Sequence, residues 1–501
     1  MVEKREWRWV ALVALGVMAA ISLPYLAAWA AAPPASRFTG LLYNPLDGHT
    51  YIAKMRLGAA GSWLFRLTYT PETHHGAPVY LFYLFLGHLA RWTGLPLLAV
   101  YHGTRLAGGA AFLAALYCLV ALVTDRIFWR RRFFLLGLLA SGLGWLAVLF
   151  GHQTPDLWVA EAFPFVALLT NAHFPVALAL MAGAACWGLA AQTSHRAGAA
   201  LALAAVALGA IQPFGLLPLF GGLAGSLILS WLRQRRFPWR GVAWSGAAAL
   251  LALPYPLYTL WALQSDPVLA AWNAQNVTPS PPWWDWLLAL GLLAPLALVG
   301  AVAAARRREP IDGLLLGWLL TTAVGLALPL DLARRLSIGL GLVVGPLAGW
   351  GWLSIVRACP RLAPVPLAAA LLTPLFLLAL GAGAALGGQP LLYLSDGEWQ
   401  ALSWLRDHVE ADAVVLCAPE TGLFVPAWAG QRVVYGHPFE TVHADERRAQ
   451  VERFWAGERD AAALDRLGVT HVFYGPRERA LGAPPDGSLL FATEDTAIYR
   501  R

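Results

Sequence analysis

The stretch Asn44-Pro45-Leu46-Asp47-Gly48-His49-Thr50-Tyr51 sets a carboxylate, an imidazole and a phenol within five residues. Asn-Pro is turn chemistry and an amphipathic run follows, so the stretch reads as a loop-to-helix junction where polar side chains can face a reaction centre. A carboxylate there can take a proton from a hydroxyl nucleophile, or share a divalent cation with a second carboxylate. Asp156 and Glu161, in the polar stretch 152–173, are the candidates for that second group. His49, Tyr51, His74 and His75 can donate to an anionic substrate group, and Arg334 and Arg335 suit a phosphate through the guanidinium fork. Neighbouring histidines diverge on regular structure, so His74 and His75 imply no shared ligand, and hydrogen bonding within the loop is their simpler role.

The elements that must position these groups are apolar. Of 501 residues, 58% are hydrophobic and 13% charged, which is too apolar for a soluble domain and fits a polytopic membrane protein. We read about eleven spans, at 9–31, 95–123, 133–151, 174–191, 197–213, 214–232, 241–262, 284–304, 311–329, 334–355 and 363–388. The first follows Lys4, Arg5 and Arg8 and is long for a cleaved signal, so it is expected to be an uncleaved anchor. The segment 78–89 is too short to span and is expected to lie in the interface beside the amphipathic run 49–65.

The net charge of +7 does not point to nucleic acid, because the arginines fall in short groups between spans. With the N-terminus inside, Arg126 and Arg130–Arg132, Arg233–Arg240, Arg306–Arg308, and Arg357 with Arg361 all lie on the cytoplasmic side. Asp47 in the loop 33–94, the loop 152–173 and the pair Arg334-Arg335 then lie outside. Arginines on the outer side oppose the topology rule and call for a local reason, a phosphate or the neighbouring Asp331. Four cysteines without CxxC spacing give neither a zinc site nor a disulfide framework.

Beyond Gly388 the chain turns polar and alternates helix with strand: helices at 398–408, 445–455 and 461–467, strands at 413–417, 432–435 and 470–474. Residues 391–501 are therefore expected to form a small extracytoplasmic α/β domain, and residues 1–390 a transmembrane module.

An anchor span, a long outer loop opening on Leu46-Asp47-Gly48-His49-Thr50-Tyr51, interfacial helices, many spans and an outer C-terminal domain together resemble the GT-C superfamily, including the protein mannosyltransferases, the aminoarabinose transferases and bacterial members with outer domains. The resemblance implies a GT-C-like α-helical polytopic fold and transfer of a sugar from a polyprenyl-phosphate donor to an acceptor glycan, lipid or protein outside the plasma membrane. It implies catalytic roles for Asp47 and for Asp156 or Glu161, a divalent cation (Mg, Mn or Zn) held by Asp47, Asp156 and Glu161, and lipid phosphate held by Arg334 or Arg335. Gly48 stands where some members carry a second acid. Trp283-Trp284-Asp285 is misplaced for the oligosaccharyltransferase signature, so single-sugar transfer is expected. The competing readings are a non-catalytic GT-C-like scaffold in envelope assembly and a lipid or solute transporter. The span interiors, nearly free of charge and without internal repeats, speak against the transporter.

Overall fold

The computed structural model describes residues 2–501. Among these residues nine helices are long and apolar enough to cross a membrane, or ten if the pair Trp283–Leu290 and Leu293–Arg307, bent by 92°, counts as one span. With the shorter apolar helix His195–Ile211 they cover every span read from the sequence. The protein is a multi-pass, mostly helical membrane protein with a small sheet region near its C-terminus.

Besides that bent pair, which replaces the expected straight span 284–304, two spans differ in detail. The segment 133–151 is broken: a helix over Ile127–Leu139 stops, and Gly144–Ala147 restarts it. At the break the amides of Gly142 and Gly144 donate to the buried carboxylate of Asp156. The segment 334–355 begins later, at Leu340, because Ala333–Ser337 winds as a 3-10 turn that Gly339 closes at φ 75°. Arg334 and Arg335 therefore stand on a turn before the helix.

The chain divides into two compact units. The first comprises residues up to Leu23, His102–Leu257 and Val277–Gly381; the second comprises Pro24–Tyr101, Tyr258–Asn276 and Ala382–Arg501. In the first unit, helices meet through small residues, as expected where lipid supplies no hydrophobic drive between them. Leu216–Gln234 lies against Pro310–Ala327 so closely that a Cβ on Gly225 would stand 2.2 Å from the Gly313 carbonyl oxygen.

In the second unit, β1 (Ser36–Phe38) pairs antiparallel with β2 (Tyr393–Ser395). The helix α1 (Pro45–Ala59) follows the Asn44 turn, and α2 (Leu81–Thr93) replaces the expected interfacial segment with a slightly later one. After β2 comes α3 (Asp396–His408), started by a capping box between Ser395 and Glu398. A five-stranded sheet follows, in the order β4-β3-β5-β7-β6. Its strands are β3 (Val414–Leu416), β4 (Arg432–Val433), β5 (Val469–Tyr474), β6 (Ser488–Ala492) and β7 (Ala497–Arg500). β3 runs parallel to β4 and β5, and β7 runs antiparallel to β5 and β6. Each helix and strand expected beyond residue 391 is present, and β2, β6 and β7 are additional strands.

The helix that carries Asp47 is fixed by α2. A Cβ on Gly87 would stand 1.9 Å from the Met55 carbonyl oxygen, and one on Gly58 2.1 Å from that of Leu84. Only glycine permits that approach. Gly87→Val is expected to destabilise the protein by about 1–3 kcal/mol, seen as a lower unfolding midpoint of the solubilised protein. Gly103→Ala, which meets nothing within 4 Å, should leave the midpoint unchanged.

Candidate functional site

Asp47 stands in the first turn of α1, where the helix dipole favours negative charge. Its cap is Asn44, in the left-handed region (φ 52°, ψ 57°) that asparagine tolerates best after glycine. The Asn44 side chain serves Asp47 twice: Nδ2 donates to Oδ2 at 2.6 Å, and Oδ1 accepts from the Asp47 amide at 3.4 Å. Pro45 at the first helical position costs no hydrogen bond and presets φ.

The other carboxylate oxygen faces His437, whose Nε2 lies 3.6 Å from Oδ1. That imidazole is held from behind. Its Nδ1 accepts from the amides of Phe439 and Glu440, both at 3.1 Å, so it keeps a lone pair there and the ring proton sits on Nε2, toward Asp47. The loop around it is pinned by Thr441, whose hydroxyl accepts from the amides of Gly436 and His437. Burial pushes the Asp47 carboxyl up, but the His437 ring, the Asn44 amide and the charge of Lys54 outweigh it and hold the acid below its ordinary range. The side chain keeps 43% of its surface open to water while His437 keeps 2%. Asp47 is thus a charged carboxylate with a rigid back and an open front.

The other residues singled out in this part of the chain support the fold. His49 is fully buried, donates Nδ1–H to the Pro45 carbonyl at 2.6 Å, and meets Phe424 edge-on at 4.9 Å. Burial lowers its pKa to about 4, against 6.5 for a free imidazole, so it is neutral. It is no phosphate ligand. The Tyr51 ring stacks on Tyr83, with centroids 4.2 Å apart and planes at 12°. His74 accepts from the Leu67 amide at 2.9 Å through Nε2 and lies 3.2 Å from the Glu72 carbonyl through Nδ1, which closes the loop 67–74. Burial lowers its pKa as well. His75 is exposed and is fixed only through its amide, which donates to Asp266 at 3.1 Å. Glu72 is bound by Arg447, with Nη2 at 2.5 Å.

In the first unit Asp156 has no exposed surface. Its Oδ2 accepts from the amides of Gly142 and Gly144 and lies 3.1 Å from the Thr373 hydroxyl; its Oδ1 accepts from Thr154 at 2.5 Å. Burial pushes its carboxyl up against the pull of those four donors. The expectation of a catalytic or metal-binding Asp156 does not survive these contacts, because its oxygens are committed to neutral donors and water cannot reach them. It fastens the broken span instead.

Glu161 and Arg334 do come together. Arg334 Nη2 lies 4.0 Å from Glu161 Oε1, and its guanidinium lies over the Trp158 ring, 4.9 Å from the centroid. The backbone of Arg334 is tied to Thr278, its amide donating to that carbonyl at 3.2 Å, and Arg335 Nε reaches the Thr278 hydroxyl at 3.4 Å. Arg334 Nε is buried without a hydrogen-bond partner. A guanidinium so placed keeps donors for a further anion.

A divalent cation fits these residues poorly. Among the described residues, no three His, Cys, Asp or Glu side chains gather as a cation site. Asp156 is spent on hydrogen bonds, and His437 presents a proton rather than a lone pair beside Asp47.

No family model matches the chain, and no curated protein matches it in sequence. Solved structures do match. ArnT from Cupriavidus metallidurans, bound to undecaprenyl phosphate, superposes with a TM-score of 0.55 over 99% of this chain and 98% of that one, at 13% identity. The Archaeoglobus fulgidus oligosaccharyltransferase, in a complex with Zn and sulfate, gives 0.52 over 93% and 68%, at 14% identity. The chain has the GT-C fold. That fold extends over nearly the whole length of ArnT, so the GT-C likeness covers the C-terminal sheet as well as the spans.

Sequence reasoning missed His437, Glu440 and Trp158 as partners of the residues it chose. The only local signal for the first was a lone histidine in a Gly-His-Pro turn after a strand.

His49 makes the acid stability of this unit readable. Between pH 6.5 and about 4 the unfolded chain takes up a proton that folded His49 refuses. Its contribution to stability is therefore whole above pH 6.5 and falls on acidification, by about 3 kcal/mol at 1.36 kcal/mol per pH unit. Thermal unfolding followed from pH 7 to 4 should show this slope in the wild type and a shallower one in His49→Phe.

Proposed function

We propose that the protein is a membrane glycosyltransferase that moves a sugar from a polyprenyl-phosphate donor to an acceptor hydroxyl on the extracytoplasmic face of the plasma membrane. The observation that carries the reading is Asp47, a water-facing carboxylate held charged at a helix N-terminus, in a chain with the GT-C fold. The lipid phosphate in the matched ArnT structure and the dolichol-phosphate in a matched oligosaccharyltransferase structure support a lipid-phosphate donor.

Asp47 orients the acceptor hydroxyl. As the acceptor oxygen bonds to the anomeric carbon, the bond from that carbon to the phosphate oxygen breaks and its electron pair leaves with the phosphate. The acceptor proton passes to Asp47. A carboxylate held below its ordinary range is a weak base, so it serves best late, when the hydroxyl has become acidic through bonding to an electron-poor carbon. His437 keeps that carboxylate charged and aimed. Arg334, with donors to spare, neutralises the phosphate, and Glu161 and Trp158 set its direction. The positive loops inside and the acidic loops outside support the orientation.

Asp47→Asn should reduce transfer from a polyprenyl-phosphate sugar on the order of 100-fold or more while its unfolding midpoint stays near that of the wild type. A folded Asp47→Asn protein with undiminished transfer overturns the reading. Arg334→Ala should lower kcat/KM for the lipid donor, through KM where Arg334 holds the bound phosphate and through kcat where it stabilises the leaving phosphate, and an unchanged kcat/KM would remove Arg334 from the reaction.

A further inference from the structure

The second unit also holds a cleft of about 360 Å³ lined by Arg37 of β1, by Trp399, Gln400, Ser403 and Trp404 of α3, and by Phe491 of β6. We propose that this cleft binds a neutral saccharide.

The four α3 residues fall at i, i+1, i+4 and i+5, so one face of the helix supplies them. Trp404 is oriented in advance: its ring lies parallel to His408 (5.0 Å between centroids, 9°) and to Phe491 (5.7 Å, 21°). Aromatic walls take up the C–H faces of a sugar, and polar side chains at their edges take up its hydroxyls. Gln400 and Ser403 provide that edge, since among the described residues neither side chain hydrogen-bonds to the protein.

Charge decides which ligand. Arg37 Nε is 2.6 Å from Asp396 Oδ1, and on the same helix Arg406 Nε is 2.9 Å from Asp407 Oδ1. Arg37, the one charged side chain among the lining residues, is compensated by Asp396, so the wall itself offers an anion little attraction, while the Arg37 nitrogens that do not face Asp396 can still donate to hydroxyls. A purely apolar segment would leave Gln400 and Ser403 unpaired on binding. A sugar, apolar on its faces and polar at its rim, meets both kinds of wall, and the volume has room for roughly one or two rings, at the small end of ligand sites.

The test measures binding with no donor present, so it stands or falls apart from the transferase reading. The full-length protein in nanodiscs, free of maltoside detergents, is titrated with maltotriose, mannotriose, chitotriose and arabinotriose, and with trigalacturonic acid as the charged probe. Saturation-transfer NMR and calorimetry read the binding. At least one neutral trisaccharide should bind, and Trp404→Ala should weaken it on the order of tenfold. Gln400→Arg, at an exposed position where a larger side chain costs the fold nothing, should weaken it as well. Absence of binding by every neutral probe, binding by trigalacturonic acid alone, or wild-type affinity in either variant overturns the proposal.

Discussion

Lys54 and Glu440 are 386 residues apart and 2.6 Å from each other. Lys54 is one of only two lysines in the chain and is almost wholly buried, its ammonium also donating to Thr50 and lying 4.7 Å from the centroid of the Tyr80 ring. Removing one partner of such a pair leaves a desolvated charge and costs about 3–5 kcal/mol, whereas the pair itself adds little over an apolar contact. What the pair supplies is register. It joins α1 to the loop 436–441, which carries His437, and thereby sets the imidazole against Asp47. His49 on Phe424 and Arg56 Nε on the Ala427 carbonyl, at 2.9 Å, tie the same helix to the segment just before that loop.

The protein solves the problem of a carboxylate away from bulk water in three ways. Asp156 and Glu478 are solvated by neutral donors; Glu478 accepts from the amides of Ala418 and Gly475 at 2.7 and 2.8 Å, and burial pushes its carboxyl up as it does that of Asp156. Glu6 is met by charge, with Arg130 at 2.7 Å and the Tyr117 hydroxyl at 2.6 Å. Asp47 alone among these keeps an open side while its back is held by an amide and an imidazole. The first two arrangements fasten structure, because every lone pair that matters is used. The third leaves a lone pair for something that arrives from outside.

The spans were legible because lipid imposes its demand on every residue of a segment, and length with hydropathy reports that demand directly. The Asn44-Pro45 start of α1 was legible for a similar reason: cap, proline and acid lie within four residues, so the local chemistry is self-sufficient. Asp156 was misread because its partners, Gly142, Gly144 and Thr373, use amides and a hydroxyl, and no spacing of charged residues announces such donors. The break after Leu139 went unread with it, since the same contacts mark both. His437 was invisible as a partner because the contact is made between segments far apart in sequence, and its tautomer depends on two amides that a sequence does not orient.

That distance in sequence also bears on how the carboxylate is controlled. A helix N-terminus by itself would favour a charged Asp47 by only about 0.3–1 kcal/mol, less than burial costs it. The deficit is met by His437, Asn44 and Lys54. His437 comes from the C-terminal stretch, and Lys54 is steered by Glu440 of that stretch. The charge state of the open carboxylate Asp47 is thus set in part by a residue of the last quarter of the chain. The C-terminal segment is in this sense part of the Asp47 site, and disturbance of the 436–441 loop should act on the carboxylate even where α1 itself stays folded.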